Sequence, residues 1–192
     1  MTKLKVFLAA SIIILISLNL HALKTSNSAN CQRDVDKFLN HPDKSKLEAF
    51  SKHDDSRCLE VIATSNDDLN RLNNETAKGN PWAAQYLAGT LKMLDDGNLE
   101  DALVALGQFS EHNMQRFLSF PNKGILSDHA LRDALTMLPL SLTDDPQAQL
   151  RALSLRRRHA MSVNRNDLQQ QRAEALKAID DFAAEVRSKS NR

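Results

Sequence analysis

The spacing of apolar residues is the feature that most constrains this fold. From Asp34 onward, apolar side chains recur at intervals of three and four residues, which places them along one face of successive helices. Val, Ile and Thr never alternate with polar residues over a strand-length window, so no strand is predicted. Five glycines and five prolines in 192 residues are also too few for a β-sandwich or propeller with many tight turns. The chain is therefore predicted to be all-α, an irregular array of short antiparallel helices.

Capping residues predict where several helices begin. Ser65, Ser110 and Ser127 each precede a run of helical spacing, and a serine hydroxyl at such a position accepts a hydrogen bond from an otherwise unpaired amide. The segment Asp144-Asp145-Pro146 combines an acidic cap with a proline suited to a first turn. Asn166 begins the last segment, which contains no glycine or proline, so a long C-terminal helix is predicted.

Two similar stretches lie next to each other between Gly79 and Gly107. They read GNPWAAQYLAG and GNLEDALVALG, and their first residues, Gly79 and Gly97, lie 18 positions apart. In each, a glycine after one helix and an asparagine before the next predict a tight helix-to-helix junction. Two such units give about 36 residues, which is within the range of helical solenoid repeats.

The segment AAQYLAGTLKMLDDGNLEDALVALG resembles one helix pair of the tetratricopeptide or Sel-type repeats. Ala84, Tyr86 and Gly89 match its first helix, and Ala102 and Ala105 match its second. The resemblance covers roughly residues 79–107, and Ala102 falls a residue or two later than the tetratricopeptide spacing places it. It implies a helical scaffold that binds proteins or peptides on a concave face, and it assigns no binding residue.

The N-terminal segment has the pattern of a secretory signal peptide. Lys3 and Lys5 precede the 15-residue apolar run VFLAASIIILISLNL, and the small residue Ala22 stands before a polar stretch. The run is shorter than the roughly 20 residues that span a membrane. Cleavage near Ala22 is therefore predicted, which makes the protein periplasmic or secreted. An uncleaved N-terminal membrane anchor is the alternative.

These signals divide the chain into four parts. They are a signal peptide at 1–22, a flexible segment at 23–33, a helical domain at 34–163, and a long C-terminal helix with its tail at 164–192. Removing the two lysines of the signal peptide takes Lys+Arg from 25 to 23 against 24 acidic residues, a net charge of −1. A nearly neutral protein has no global attraction for nucleic acid or for an anionic membrane, so neither is predicted as a partner.

Sequence signatures of catalysis and of metal binding are missing. The chain contains no HExxH, GxSxG, Walker or GxGxxG motif. No two histidines lie three or four residues apart, so no helix face presents a pair of imidazoles to a metal ion. No catalytic residue, metal site or cofactor is predicted.

Two groups of residues are candidates for binding a protein partner. Trp82 and Tyr86 lie four residues apart on one helix face, and aromatic side chains dominate binding hot spots. Core packing is the alternative for this pair. Arg156, Arg157 and Arg158 form a basic cluster that suits an acidic protein or a lipid headgroup, with a solvated helix face as the alternative.

The sequence favours an exported, non-enzymatic protein-binding module, whose sharper form is an inhibitor or immunity-type protein of the cell envelope. One alternative is a structural or chaperone-like envelope protein that associates with itself or a partner through the C-terminal helix. Another is an enzyme with a dispersed site. The apolar stripe available for self-association consists of Leu168, Ile179, Phe182 and Val186.

Cys31 and Cys58 are predicted to form a disulfide, because an exported protein meets an oxidising environment. Closing a loop of about 27 residues would stabilise the fold by about 3 to 4 kcal/mol. We expect the natively exported protein to resist thiol alkylation when denatured without reductant, and to gain two labels per chain once reductant is added. Mass spectrometry measures the labels, and two labels without reductant would rule the bridge out.

Overall fold

A computed structural model describes residues 31–50 and 61–190. Within these ranges the chain forms α-helices and short 3-10 turns but no strand, which confirms the all-α prediction. Residues 31–40 form helix α1, and residues 61–63 are also helical. The other helices are α2 (Lys44–Phe50), α3 (Asn66–Ala77), α4 (Pro81–Thr90), α5 (Asp96–Leu118), α6 (Asp128–Thr136), α7 (Pro146–Met161) and α8 (Gln169–Ser190).

Several features of the N-terminal part lie outside the described residues, namely the signal peptide, its cleavage near Ala22, and Cys58. Residues 31–33, which the sequence analysis assigned to a flexible segment, already belong to α1. Cys31 is buried in the core at 5% exposure, and its bridge to Cys58 stays a prediction. None of the described helices combines the length and the continuous apolar character that crossing a membrane requires.

Most of the predicted helix starts are confirmed. At each of these starts, a side chain accepts a hydrogen bond from a backbone amide two or three residues further on. The capping residues are Ser65 for α3, Asn80 for α4, Ser127 for α6 and Asp145 for α7. The 3-10 turn Asn166–Leu168 leads directly into α8, so the long C-terminal helix is confirmed as well.

The predicted junction at Gly97-Asn98 is wrong. Helix α5 begins at Asp96, and the Asp95 carboxylate caps it by accepting a hydrogen bond from the Asn98 amide at 3.1 Å. A carboxylate satisfies this amide and also favours the positive end of the helix dipole, so the helix starts before the glycine. At Gly79, by contrast, φ is +91° and the chain turns as predicted. The two Gly-Asn pairs therefore occupy different structural positions.

The predicted helix start at Ser110 is also wrong. Ser110 is buried inside α5, where its hydroxyl donates a hydrogen bond to the Gly107 carbonyl at 2.6 Å. Helical geometry is interrupted three residues later, at Asn113, where φ is −146° and ψ is 64°. The Asn113 side chain accepts a hydrogen bond from the Arg116 amide at 3.2 Å and so caps the second part of a kinked helix.

Helix α5 lies at the centre of the core. It packs against α3, α4, α6 and α7, and α8 packs against α6 and α7. Phe109 and Phe117 of α5 are fully buried and flank Phe120, with ring centroids 6.0 Å from it in each case. The C-terminal helix thus shares one hydrophobic core with the helices that precede it.

Close approach between α5, α6 and α7 depends on Gly107. A Cβ atom added to Gly107 would lie 2.3 Å from the Ala134 carbonyl oxygen and 2.8 Å from Nη1 of Arg156. A backbone carbonyl cannot move aside without displacing α6. Gly89 provides a comparison, because it also lies in a helix but an added Cβ there would meet nothing within 4 Å.

The two glycines should therefore respond oppositely to alanine. We expect Gly107→Ala to lower the free energy of unfolding by about 2 to 3 kcal/mol, because the added methyl group overpacks the helix contact. Gly89→Ala should raise it by about 0.5 to 1 kcal/mol, because alanine loses less backbone entropy in a helix. Urea denaturation measures both, and equal effects would contradict the proposed close contact.

Candidate functional site

The three adjacent arginines do not form one surface patch. Arg157 and Arg158 are exposed, but Arg156 is fully buried at 0% exposure. Successive residues of a helix point about 100° apart, so neighbours in sequence face different surroundings. Arg156 cannot touch a partner, and its assignment as a partner-binding residue is corrected accordingly.

Arg156 instead holds three helices together. Its Nε atom donates a hydrogen bond to the Glu111 carboxylate of α5 at 2.8 Å. Its Nη1 atom donates to the carbonyl oxygens that end α6, those of Ala134 at 3.1 Å, Leu135 at 3.0 Å and Met137 at 2.9 Å. Carbonyls at a helix end lack helical donors, so the buried cation supplies what they need.

Burial and charge act on Arg156 in opposite directions. Burial lowers the pKa of Arg156 below its ordinary value, because a charged group loses its hydration in the protein interior. The Glu111 carboxylate raises that pKa in return through its charge and its hydrogen bond. The guanidinium of an arginine stays charged in proteins, so the pair joins a fully buried cation to a carboxylate that is 23% exposed.

The two exposed arginines differ from each other. Arg157 pairs with Asp180 of α8, with Nε 2.7 Å from Oδ1, and this hydrogen bond raises the pKa of Arg157. Arg158 donates a long hydrogen bond of 3.4 Å to Ser154 and has no acidic partner in the part of the chain that the structure describes. Only Arg158 of the predicted trio thus presents an uncompensated charge to solvent.

The predicted aromatic pair is separated by burial. Tyr86 is 6% exposed and packs against Phe38, with ring centroids 5.4 Å apart, so it belongs to the core. Trp82 is half-buried, and the guanidinium carbon of Arg116 lies 4.2 Å from the centre of its ring, a cation–π contact. Arg116 also donates to Gln85 at 3.2 Å, and burial lowers the pKa of Arg116. One face of Trp82 is therefore covered by the protein itself.

The C-terminal stripe is largely covered as well. Leu168, Ile179 and Val186 are buried at 0%, 1% and 5% exposure. Helix α8 packs against α6 and α7, so these side chains belong to the core and do not form a free surface for self-association. Phe182 is only partly buried and borders an open groove.

This apolar groove lies between the end of α6, the segment 137–145 and the end of α8. It encloses about 600 Å³. Leu140 lies on the groove and is 84% exposed, far more than the leucines of the core. The apolar side chains of the groove are Met137, Leu138, Pro139, Leu140, Pro146, Phe182 and Val186.

Polar contacts hold the segment that forms this groove. Arg156 binds the Met137 carbonyl where the segment begins. Gln149 of α7 donates hydrogen bonds to the carbonyls of Leu142 and Thr143, both at 2.8 Å. The wall that carries Leu140 is therefore fixed at both ends, and the groove is a preformed concavity.

Three ionisable side chains, Asp133, Glu185 and Lys189, line the groove. Asp133 lies 2.6 Å from His129, and Glu185 lies 2.6 Å from Lys189. Two carboxylates and one ammonium give the groove no excess of positive charge, so an apolar ligand suits it better than a polyanion. In the described parts of the chain, no three His, Cys, Asp or Glu side chains come together as a metal site would require.

No protein-family model matches the chain, and searches of curated proteins and of solved structures find no significant match. The resemblance of residues 79–107 to tetratricopeptide or Sel-type repeats accordingly stays an expectation.

Neither the groove nor the role of Arg156 was predicted from the sequence. A signal for Arg156 existed, since Leu153, Arg156 and Ala160 are spaced by three and four residues and share the buried face of α7. A signal for the groove was Leu140 itself, an apolar residue in a proline-bounded segment with no helical pattern.

The role of Arg156 can be tested by a change that keeps its charge. Arg156→Lys removes the planar fork that reaches Glu111 and three carbonyls together. We expect the free energy of unfolding to fall by about 3 kcal/mol, as when a buried pair loses its geometry. The exposed control Arg158→Lys should stay within about 0.5 kcal/mol of the parent protein. If denaturation shows both variants to be equally stable, Arg156 does not hold these helices together.

Proposed function

We propose that this protein is an exported, non-enzymatic module that binds another protein through the apolar groove beside Leu140. The single observation behind the proposal is the 84% exposure of Leu140 next to a preformed apolar concavity. An exposed leucine beside an apolar concavity offers a partner both a side chain to cover and a pocket to fill. Trp82, Tyr86 and Arg156, which the sequence offered as contacts, are less suited to this role than Leu140 is.

The shape of this surface favours a protein over a small molecule as its occupant. A small molecule seated in the groove would contact only the side of Leu140 that faces the groove, and the rest of this side chain would stay in water. An apolar segment of a partner protein can fill the groove with one side chain and cover Leu140 with its flanks. The carboxylates of Asp133 and Glu185 on this groove give no reason to prefer a nucleic acid or an anionic lipid surface.

An inhibitor or immunity-type protein of the cell envelope is the sharper form of this proposal. It is supported by the predicted signal peptide and by the preformed groove, because a rigid surface binds without an ordering cost. The alternative of association through the C-terminal stripe is less favoured, since Leu168, Ile179 and Val186 are buried in the core.

The test compares two exposed apolar residues. We expect a tagged, natively exported protein, after mild crosslinking, to retain one protein partner at near-equal amounts. Leu140→Asp should reduce the captured partner by at least about tenfold, because it places a charge at the contact. Met161→Asp is the matched control, since Met161 is 48% exposed and lies away from the groove.

The outcome is read from quantitative mass spectrometry and from a thermal melt of each variant. Both variants should melt like the parent protein, because both positions are exposed. A partner captured equally well by Leu140→Asp, or the absence of any partner, would overturn the proposal.

A further inference from the structure

A second groove lies between α3 and α5, and its side chains are mainly polar. It encloses about 400 Å³ and shares no residue with the apolar groove, so neither site depends on the other. The polar residues are Asn70, Asn73, Asn74, Asp101 and Gln108, and small or apolar residues, Ala77, Val104 and Ala105, complete the lining.

These polar side chains have no partner within the described residues. The hydrogen bonds and ion pairs of the described chain involve none of the five polar side chains of this groove. The amide oxygen Oδ1 of Asn73 is buried and accepts no hydrogen bond. A buried polar atom without a partner is unfavourable, and rotation of the Asn73 amide would turn this oxygen towards a ligand that donates a hydrogen bond.

The two helices of this groove run in the same direction. Gly79, just after α3, lies against His112 near the middle of α5, because a Cβ added to Gly79 would be 2.9 Å from the His112 side chain. Asn70 and Asp101 therefore mark one end of the groove, and Gln108 marks the other. Asn70 and Ala77 are seven residues apart, which gives a length of about 10 Å.

The spacing of the asparagines matches an extended polypeptide. Asn70 and Asn74 are separated by one helical turn, about 6 Å along the axis. Alternate residues of an extended chain are about 6.6 Å apart, and peptide groups on one edge repeat at the same interval. Each asparagine amide both donates and accepts, so it complements the N–H and C=O of a peptide. About three residues of extended chain would fit in this length.

The lining also argues for a peptide over a sugar. Ala77 and Ala105 are small, which lets a backbone approach the helices closely. The described lining contains no aromatic ring on which a pyranose could stack. A peptide backbone can form hydrogen bonds with the asparagine amides, and it needs no aromatic ring to stack on.

Negative charge at one end of the groove favours a peptide with a basic side chain at that end. Asp101 lines the groove, and Asp96 and Glu100 precede it on the exposed start of α5. None of these three carboxylates takes part in an ion pair within the described ranges. A cationic side chain at this end would complement them.

We propose that the groove between α3 and α5 binds an extended peptide segment of another protein, with a lysine or arginine at the end beside Asp101. The asparagine amides of α3 hold the backbone, and Asp101 selects the basic side chain.

The test uses the side-chain NH₂ signals of asparagine and glutamine in the ¹⁵N-labelled full chain. The probe is acetyl-Lys-Ala-Ser-Ala-amide, and the matched peptide carries Glu in place of Lys. We expect the signals of Asn73, Asn74 and Gln108 to shift saturably with the lysine peptide, with a Kd on the order of 1 mM. The glutamate peptide should bind about tenfold more weakly.

Variants distinguish binding in this groove from nonspecific binding elsewhere on the protein. Asn73→Ala and Asp101→Asn should each weaken binding about tenfold by removing a hydrogen bond or the charge. Asn66→Ala is the control, because Asn66 is an exposed asparagine of the same helix outside the groove.

Three outcomes would overturn the proposal. The first is that no signal shifts at about 10 mM lysine peptide, a concentration well above the expected Kd. The second is that the Asn73→Ala variant binds the peptide as well as the parent protein does. The third is that a neutral trisaccharide produces shifts and the peptide does not. The last outcome would assign the groove to a sugar. None of these readouts involves Leu140, so the result is independent of the apolar groove.

Discussion

A buried cation organises the C-terminal half of this fold. Arg156 links Glu111 of α5 to the carbonyls that end α6, so one guanidinium fixes the mutual positions of three helices. The arrangement requires close packing, and Gly107 leaves the space in which the guanidinium lies against α5. Burying a charge is unfavourable unless hydrogen bonds compensate for it, and Nε and Nη1 of Arg156 make such bonds while the buried Nη2 has none within the described residues. The bonds that are made specify one geometry of the helix ends.

The same interaction reaches the surface through the segment that follows α6. Arg156 holds the Met137 carbonyl, and Gln149 holds the carbonyls of Leu142 and Thr143. Leu140 lies between these two fixed points and projects into solvent at 84% exposure. An exposed leucine on a fixed wall differs from one on a mobile loop, because a partner does not have to order it on binding. The buried Arg156 thus connects the core to the proposed binding surface.

Local chemistry explains which parts of the fold were predictable from sequence. A serine or aspartate cap acts within three residues, so the starts of α6 and α7 followed from Ser127 and Asp145. Predictions of helix starts were wrong where a nearby residue was a better cap. Asp95, for example, caps α5, so the helix begins before Gly97. Arg156 was misassigned because three adjacent arginines suggest a solvated face, and their sequence does not show which of them points inward. The grooves depend on contacts between distant segments, which no local pattern encodes.

Site-specific photocrosslinking tests the central claim, that the groove built on the Arg156 network binds a protein at Leu140. A photoreactive phenylalanine analogue would replace Leu140 in the natively exported chain, and the same analogue at Met161 would serve as the control. The account predicts one crosslinked protein from position 140 and none from position 161. Crosslinks of equal yield from both positions, or none from position 140, would contradict it.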